Sequence, residues 1–247
     1  MSLNYQTDDD DLPGEDLISE DLTAVSSSFP LYTVILLGAF AVVAAVQFGT
    51  GLESSILAAG FDKPAFIGSR EYWRILTGGT THGSIPHVVM NGYALYSFGR
   101  IFEMLSNRAH LAVVYLLSVI GGGVLSLIFA PDGLSVGASG GILGLVSYLA
   151  IYAFRRRQFI SREFRKSLLI NIAFILVFGL VLYQVIDNSG HIGGLVAGAV
   201  YGVVQIPSDE YTDPRLAGSI TESLGLTSLG IYLAACAFSV LLILRLV

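Results

Sequence analysis

Residues 187–206 read DNSGHIGGLVAGAVYGVVQI, a polar start followed by an uninterrupted apolar run. Beyond His191, glycine recurs every fourth residue, at Gly194, Gly198 and Gly202. In a helix this period forms a flat stripe of small residues, which allows another membrane helix to approach closely. The stretch therefore predicts a membrane helix that begins near His191 and packs tightly against a partner.

A second stretch, residues 137–154 (GASGGILGLVSYLAIYAF), has the same design. It begins with Ser139 and places Gly140 and Gly144 at the same four-residue period. If the two helices pack against each other along their glycines, Ser139 and His191 meet.

The composition of the chain favours a polytopic membrane protein. Of 247 residues, 53% are hydrophobic and 13% are charged, with a mean hydropathy of +0.70. This charged fraction is about half that of an average soluble protein. The 28 glycines agree with this class, because glycine is more frequent in membrane helices than in soluble ones. A single cysteine, Cys236, excludes a disulfide framework and a cysteine-rich metal site.

Apolar segments predict an all-α membrane helix bundle, because about 20 apolar residues cross about 30 Å of hydrocarbon. The predicted spans are residues 31–48, 85–105, 110–130, 138–154, 168–186, 192–206 and 227–247. No internal repeat is evident, and few charged residues lie within the spans. Both observations disfavour a transporter.

The basic residues predict the orientation. The linker of residues 155–166 holds six Lys and Arg residues, which favours the cytoplasmic side. With seven spans, the N-terminus is then cytoplasmic, and Ser139 and His191 face the external side, most simply of a plasma membrane. A basic linker is also compatible with nucleic acid, but membrane orientation explains it, so we predict no nucleic-acid partner.

The chain divides into four predicted regions. Residues 1–30 hold eight acidic residues and no Lys or Arg, so we expect residues 1–29 to form a disordered cytoplasmic tail. The tail lacks the basic and apolar regions of a signal peptide. Residues 30–206 form the six-span core, residues 207–226 a polar cytoplasmic linker, and residues 227–247 an extra C-terminal helix.

Helix length predicts a recess around the polar starts of spans four and six. The apolar runs after Ser139 and after His191 each last fifteen residues, about 22 Å at the helical rise, which is short of a full crossing. Both polar starts therefore lie below the outer surface. His87 and Asn91, four residues apart on one face of span two, are expected to border the same water-filled recess.

A serine beside a histidine is a nucleophile with its general base. Ser139 and His191 are therefore the predicted dyad, with Asn91 and His87 or His82 donating to an oxyanion. Asp187 lies outside the predicted helix, so no buried carboxylate completes a triad.

Two structural interpretations stay open: Ser139 as a helix cap, and His87 and Asn91 as interhelical hydrogen-bond partners. A zinc site built from the three histidines and Asp187 ranks lower, because no H-E-x-x-H string exists and the serine has no role in it.

These motifs resemble the rhomboid family of intramembrane serine proteases. The similarity covers about residues 31–206 and rests on an ordered set of short motifs: His82-x4-His87-x3-Asn91, Gly137-x-Ser139-Gly140, His191, Trp73-Arg74 and Gly99-Arg100-x-x-Glu103. The last span is similar to the extra helix of the family's six-plus-one arrangement.

The resemblance implies a serine endopeptidase that cuts transmembrane segments near their external ends, in the bilayer and without cofactor or metal. It implies Ser139 as nucleophile and His191 as general base. The oxyanion and supporting residues it implies are Asn91, His82, His87, Gly137 and Ala138, with the Ser139 amide. Trp73 and Arg74 are expected to position a loop, and Arg100 and Glu103 to form a structural pair.

One position departs from the family pattern. Many members carry an aromatic residue four positions after the serine, packed on the catalytic histidine, and this chain has Leu143 there. The alternative function is accordingly a proteolytically inactive rhomboid-like module that binds or chaperones membrane helices. The presence of both Ser139 and His191 favours the enzyme.

Overall fold

The computed structural model describes residues 29–209 and 211–247, so the predicted acidic tail lies outside the described residues apart from Phe29. The described chain forms ten helices and one two-stranded sheet. In chain order these are α1 (Leu31–Thr50), α2 (Leu52–Ala59), β1 (Phe61–Asp62), α3 (Lys63–Gly68), α4 (Arg74–Thr77), α5 (Ile85–Leu105), α6 (Arg108–Phe129), β2 (Leu134–Ser135), α7 (Ser139–Arg155), α8 (Arg162–Val181), α9 (Asn188–Gln205) and α10 (Ser219–Ile243).

The architecture is the predicted all-α bundle, with a long helix at each of the seven predicted spans. Among the described residues, α1, α6, α8 and α10 are long and apolar enough by themselves to cross a membrane. The crossing of all seven helices remains a prediction. Helix α7, with 17 residues, is apolar but shorter.

Several predicted boundaries were wrong, the end of the fifth span among them, since α8 ends at Val181 rather than at residue 186. Helix α8 begins at Arg162 rather than at residue 168, and α10 begins at Ser219 rather than at residue 227. Hydropathy marks only the apolar part of a helix, whereas backbone hydrogen bonds continue through polar residues. At α8 the side chain of Ser161 accepts from the Phe164 amide and starts the helix before the apolar run.

The glycine stripes form the predicted close contact between α7 and α9. A Cβ atom added to Gly198 would lie 2.6 Å from the Cα of Gly144, and one added to Gly194 would lie 2.7 Å from the carbonyl carbon of Gly140. Such distances are sterically forbidden, so the two backbones meet directly. Helix α6 packs on the other side of α9, where a Cβ on Gly193 would meet the backbone of Gly121. The helix that carries His191 is thus wedged between α6 and α7.

The prediction that Arg100 and Glu103 form a structural pair was wrong. The Glu103 carboxylate accepts hydrogen bonds from the amide and the hydroxyl of Thr33, both at 2.7 Å, and from the Tyr32 amide at 3.4 Å. No salt bridge joins Arg100 to Glu103 in the described part of the chain. The first turn of α1 has amides without helical partners, and a carboxylate there is stabilised by the helix dipole.

Side-chain contacts of Arg74 and Trp73 hold the segment between α1 and α5 in place. The buried guanidinium of Arg74 donates to the carbonyl of Gly60 at 2.8 Å and to Glu71 at 2.5 Å. Trp73 packs edge-on against Phe238 of α10, with the ring centroids 5.9 Å apart. Arg74 and Trp73 therefore position this loop, as predicted.

Candidate active site

The structure brings Ser139 and His191 together at one end of the bundle. Ser139 is the first residue of α7, and His191 lies in the first turn of α9. The Nε2 atom of His191 lies 2.8 Å from the Oγ atom of Ser139, which is a hydrogen-bond distance. The two residues are 52 positions apart, and the glycine contacts between α7 and α9 make the approach possible.

Gly137 forms the turn that leads into Ser139. Its φ of +128° lies in the region that favours glycine, and its amide donates to the carbonyl of Gly78 at 2.9 Å. A Cβ at this position would lie 2.7 Å from the Cε1 atom of His87. Glycine is therefore required both by the backbone conformation and by the His87 ring. Ala138, fully buried, is the N-cap residue before Ser139.

The other predicted site residues lie beside this turn. His82 is fully buried, its ring lies 5.2 Å from that of His87, and its backbone is held by the side chain of Gln47 at 2.6 and 3.1 Å. His87 accepts a hydrogen bond at Nδ1 from the Gly83 amide at 3.4 Å. Asn91 lies one turn further along α5 and is 7% exposed. The buried Gln47 was missed in the sequence, where nothing distinguishes it from an interfacial residue.

Several polar atoms at the site have no protein partner. Within residues 29–209 and 211–247, the Nδ2 atom of Asn91 and both ring nitrogens of His82 are buried without a hydrogen bond. Buried polar groups in proteins are nearly always paired, so unpaired ones require an explanation. The amide of Ser139, in the first turn of α7, also lacks a helical acceptor. The buried region around His87 therefore holds unpaired nitrogens of Asn91 and His82.

His191 is not oriented by a carboxylate. Its Nδ1 atom is buried and has no partner among the described residues. The arrangement is a Ser–His dyad in geometry, without the third member that orients the imidazole in a triad. The orientation of the ring must therefore come from the placement of α9 itself.

A cavity of about 60 Å³ lies next to the dyad, with room for a few water molecules. It is lined by Ser139, His191, Gly78, Gly122, Ser126 and Asp187. His87 and Asn91, which were expected to border the recess, are not part of this lining. The contact between the His87 ring and Gly137 fills the space on that side.

The zinc interpretation finds no support in the geometry. In the part of the chain that the structure describes, no group of three or more His, Cys, Asp or Glu side chains is placed to hold a metal ion. Asp187 is instead occupied by hydrogen bonds from the Ser135 hydroxyl and the Gly190 amide.

Comparison with known proteins agrees with this arrangement. A family model described as "Rhomboid domain" matches residues 69–208, which include every motif residue around the dyad. The chain belongs to the rhomboid family. As a rhomboid with several apolar helices, it is a multi-pass integral membrane protein.

The relatives that are similar to this rhomboid include one named as a protease and one named as inactive. "Rhomboid protease GluP" of Bacillus subtilis is 34% identical over 153 residues, which are 62% of this chain and 30% of the relative. "RHOMBOID-like protein 6, mitochondrial" of Arabidopsis thaliana is 32% identical over 140 residues, 56% of this chain and 45% of the relative. "Inactive rhomboid protein 1" of Rattus norvegicus is 30% identical over 139 residues, 56% of this chain and 16% of the relative. The chain thus spans less than half the length of each.

One polar cluster beside the rhomboid dyad was missed in the sequence. Asp187, predicted to lie outside the helix, is the N-cap of α9 and accepts from the Gly190 amide at 2.9 Å. The hydroxyls of Ser126 and Ser135 and the ammonium group of Lys63 also surround its carboxylate. No spacing links these residues, because they come from four separate segments.

The charged groups of this cluster shift each other's pKa values. Burial lowers the pKa of Lys63, and the nearby Asp187 carboxylate opposes this. Burial alone would raise the pKa of Asp187, but hydrogen bonds from Ser126, Ser135 and the Gly190 amide, together with Lys63, bring it below its usual value. Asp187 is therefore a carboxylate at neutral pH.

Proposed function

We propose that this rhomboid is an intramembrane serine endopeptidase that cleaves transmembrane segments near their external ends. The observation that carries the proposal is the hydrogen bond of 2.8 Å between His191 Nε2 and Ser139 Oγ. A serine activated by an adjacent base is the signature of nucleophilic catalysis.

In the proposed reaction, His191 accepts the proton of the Ser139 hydroxyl while Oγ attacks a peptide carbonyl carbon. The tetrahedral intermediate collapses as the protonated His191 gives its proton to the leaving amine, and an acyl-enzyme remains. A water molecule, deprotonated by His191, then attacks the ester carbonyl. His191 returns this proton to the Ser139 oxygen as the ester bond breaks, which releases the carboxylic acid product and restores the Ser139 hydroxyl. The cavity of about 60 Å³ beside the dyad has room for this water.

The unpaired donors suit the oxyanion of the intermediate. The Nδ2 atom of Asn91, a ring N–H of His82 and the Ser139 amide supply hydrogen bonds that strengthen as charge develops on the carbonyl oxygen. His87, in contact with Gly137 and with the His82 ring, supports this arrangement. Gly137 and Ala138 place the Ser139 amide.

The substrate must expose a peptide carbonyl to Ser139. An intact helix holds its carbonyls in internal hydrogen bonds, so a transmembrane substrate has to unwind locally. Helix-weakening residues such as Gly or Pro near the cut lower this cost. Following the basic residues, we place the dyad at the external side of a plasma membrane and the N-terminus in the cytoplasm. The division of the chain into an N-terminal tail, a six-span core, a linker and an extra C-terminal helix is part of the same proposal.

Labelling with a fluorophosphonate serine probe tests the proposal on the detergent-purified full chain. We expect His191→Gln to reduce the labelling rate of Ser139 by about 10⁴-fold, because the hydroxyl loses its general base. His110→Gln is the matched control: His110 lies at the other end of the bundle, where its Nδ1 bonds the Tyr201 hydroxyl at 2.8 Å. Equal labelling of wild type and His191→Gln contradicts the dyad. Absence of labelling in folded wild type favours the inactive, helix-binding alternative.

The oxyanion role of Asn91 has a separate test. We expect Asn91→Ala to lower kcat for cleavage by about 10²–10³-fold with little change in KM, because the hydrogen bond forms mainly in the transition state. Steady-state cleavage of a transmembrane substrate in liposomes measures both constants. Asn171→Ala is the control, since the Asn171 side chain bonds only Ser167 of its own helix. A rise in KM at constant kcat would contradict this role.

A further inference from the structure

The two segments that carry the dyad are joined by a direct hydrogen bond. Ser135 lies four residues before Ser139, and Asp187 lies four residues before His191. The Ser135 hydroxyl donates to the Asp187 carboxylate at 2.6 Å. This bond therefore links the approach to the nucleophile with the approach to the base, close to the point where the two side chains meet.

The Asp187 carboxylate also binds the elements on either side. One oxygen accepts from the Gly190 amide at 2.9 Å and caps α9. The other accepts from the hydroxyls of Ser135 and Ser126, so that α9 is tied to the β2 strand and to the end of α6. The carboxylate thus has few acceptor sites left unused.

Lys63 connects this carboxylate to the segment between α1 and α5. Its side chain is 1% exposed, its Nζ atom donates to Ser135 Oγ at 2.8 Å, and it lies 3.9 Å from the Asp187 carboxylate. A buried ammonium group without an opposite charge is strongly unfavourable, so Lys63 and Asp187 hold each other in place. The four residues Lys63, Ser126, Ser135 and Asp187 are here called the polar clamp.

His191 needs contacts that fix the position of its helix, because its Nδ1 atom has no hydrogen-bond partner in the described chain. In a triad a carboxylate orients the imidazole directly. Here the aim of the ring depends on where α9 places it. The glycine contacts with Gly140 and Gly144 set how closely α9 approaches α7. The polar clamp supplies the missing restraint at the start of α9.

We propose that Asp187 and Ser135 are positioning residues of this rhomboid, which hold the start of α9 against the segment before Ser139 and keep His191 in line with its hydroxyl. The inference rests on the proposed peptidase function for its kinetic consequence. It rests on the hydrogen-bond geometry alone for its structural consequence. Misplacement of a catalytic group by about 1 Å costs about 100-fold in rate, so the clamp acts on kcat rather than on substrate binding.

Ser135→Ala is the mildest test, because it removes the linking hydroxyl and leaves Lys63 and Asp187 together. We expect kcat for cleavage in liposomes to fall about tenfold or more, with KM changed by less than about twofold. Ser135→Thr, which keeps the hydroxyl, is expected to restore most of the rate. Ser54→Ala is the matched control, since the exposed Ser54 bonds only the nearby Gly51 carbonyl. A wild-type kcat in Ser135→Ala would overturn the proposal, provided that the wild-type chain cleaves.

Amide hydrogen exchange tests the clamp without any reference to cleavage. In Ser135→Ala and in Asp187→Ala, we expect amides 189–193 at the start of α9 to exchange about tenfold faster, while those of α5 are unchanged. Asp132→Ala, in an exposed loop, is the control. Unchanged exchange in the folded Ser135→Ala variant would overturn the clamp. If wild type shows this protection but neither cleaves nor reacts with the probe, the proposed function fails while the clamp stands.

Discussion

Replacing Ser139 with alanine is expected to reduce peptide-bond cleavage by at least about 10⁴-fold while the protein stays folded. No other nucleophile lies within hydrogen-bond reach of His191 Nε2, among the described residues. Within the described residues, the one side-chain hydrogen bond of Ser139 is to His191, so alanine removes a single oxygen from a small side chain. The loss of rate and the small structural cost are therefore separable.

Cleavage of a reconstituted transmembrane substrate by purified wild type and Ser139→Ala measures this effect, with thermal unfolding in detergent as the check on folding. Ser147→Ala is the matched control, because Ser147 lies two turns further along α7 and bonds only the Gly144 carbonyl of its own helix. Ser147→Ala should retain most of the activity. Cleavage by Ser139→Ala near the wild-type rate would refute the assignment of the nucleophile.

Replacing Gly198 with valine is expected to remove activity, although Gly198 lies about two turns beyond His191 in α9. A side chain at this position would overlap the backbone of Gly144, and neither backbone can move aside without separating α7 from α9. Overpacking of this kind costs about 1–3 kcal/mol or more, which corresponds to a fall in Tm of about 2–12 °C for a chain of this size. Separation of the helices also pulls His191 away from Ser139, so we expect probe labelling to fall about 100-fold or more.

Gly230→Val is the control for this experiment, because Gly230 lies inside α10 with no atom within 4 Å of an added Cβ. The Gly230→Val substitution makes the same change in intrinsic helix propensity, without the steric overlap with a neighbouring backbone. Thermal unfolding and fluorophosphonate labelling are measured on both variants. Equal behaviour of Gly198→Val and Gly230→Val would show that the glycine contact does not hold the dyad together.

The fold class followed from the composition and the hydropathy pattern. Seven apolar segments correctly marked seven long helices, because burying backbone in an apolar environment forces it into helical hydrogen bonds. The period of Gly194 and Gly198 opposite Gly140 and Gly144 correctly identified two helices that pack closely against each other. Helix ends were less predictable. At α8 the cap of Ser161 decides the start, and hydropathy does not record caps.

Glu103 shows where motif spacing fails. At i and i+3 with Arg100, it matches the pattern of a helical ion pair. In the structure it accepts instead from the first turn of α1, 70 residues earlier in the chain. The unpaired amides of a helix start compete well for a carboxylate, but only the packing of α1 against α5 reveals that they are near.

The sequence by itself determined the membrane class, the helices and the glycine stripes, and it named the residues that we propose as nucleophile, base and oxyanion donors. Local patterns suffice for these, because periodicity and residue chemistry are properties of single segments. Only the tertiary structure decided that, among the described residues, the Nδ1 atom of His191 has no hydrogen-bond partner, that Asn91 and His82 keep unpaired nitrogens, and that Asp187 bonds Ser135 from 52 residues away. A side-chain hydrogen bond forms over about 3 Å, so it depends on how separate helices pack, which no single segment encodes.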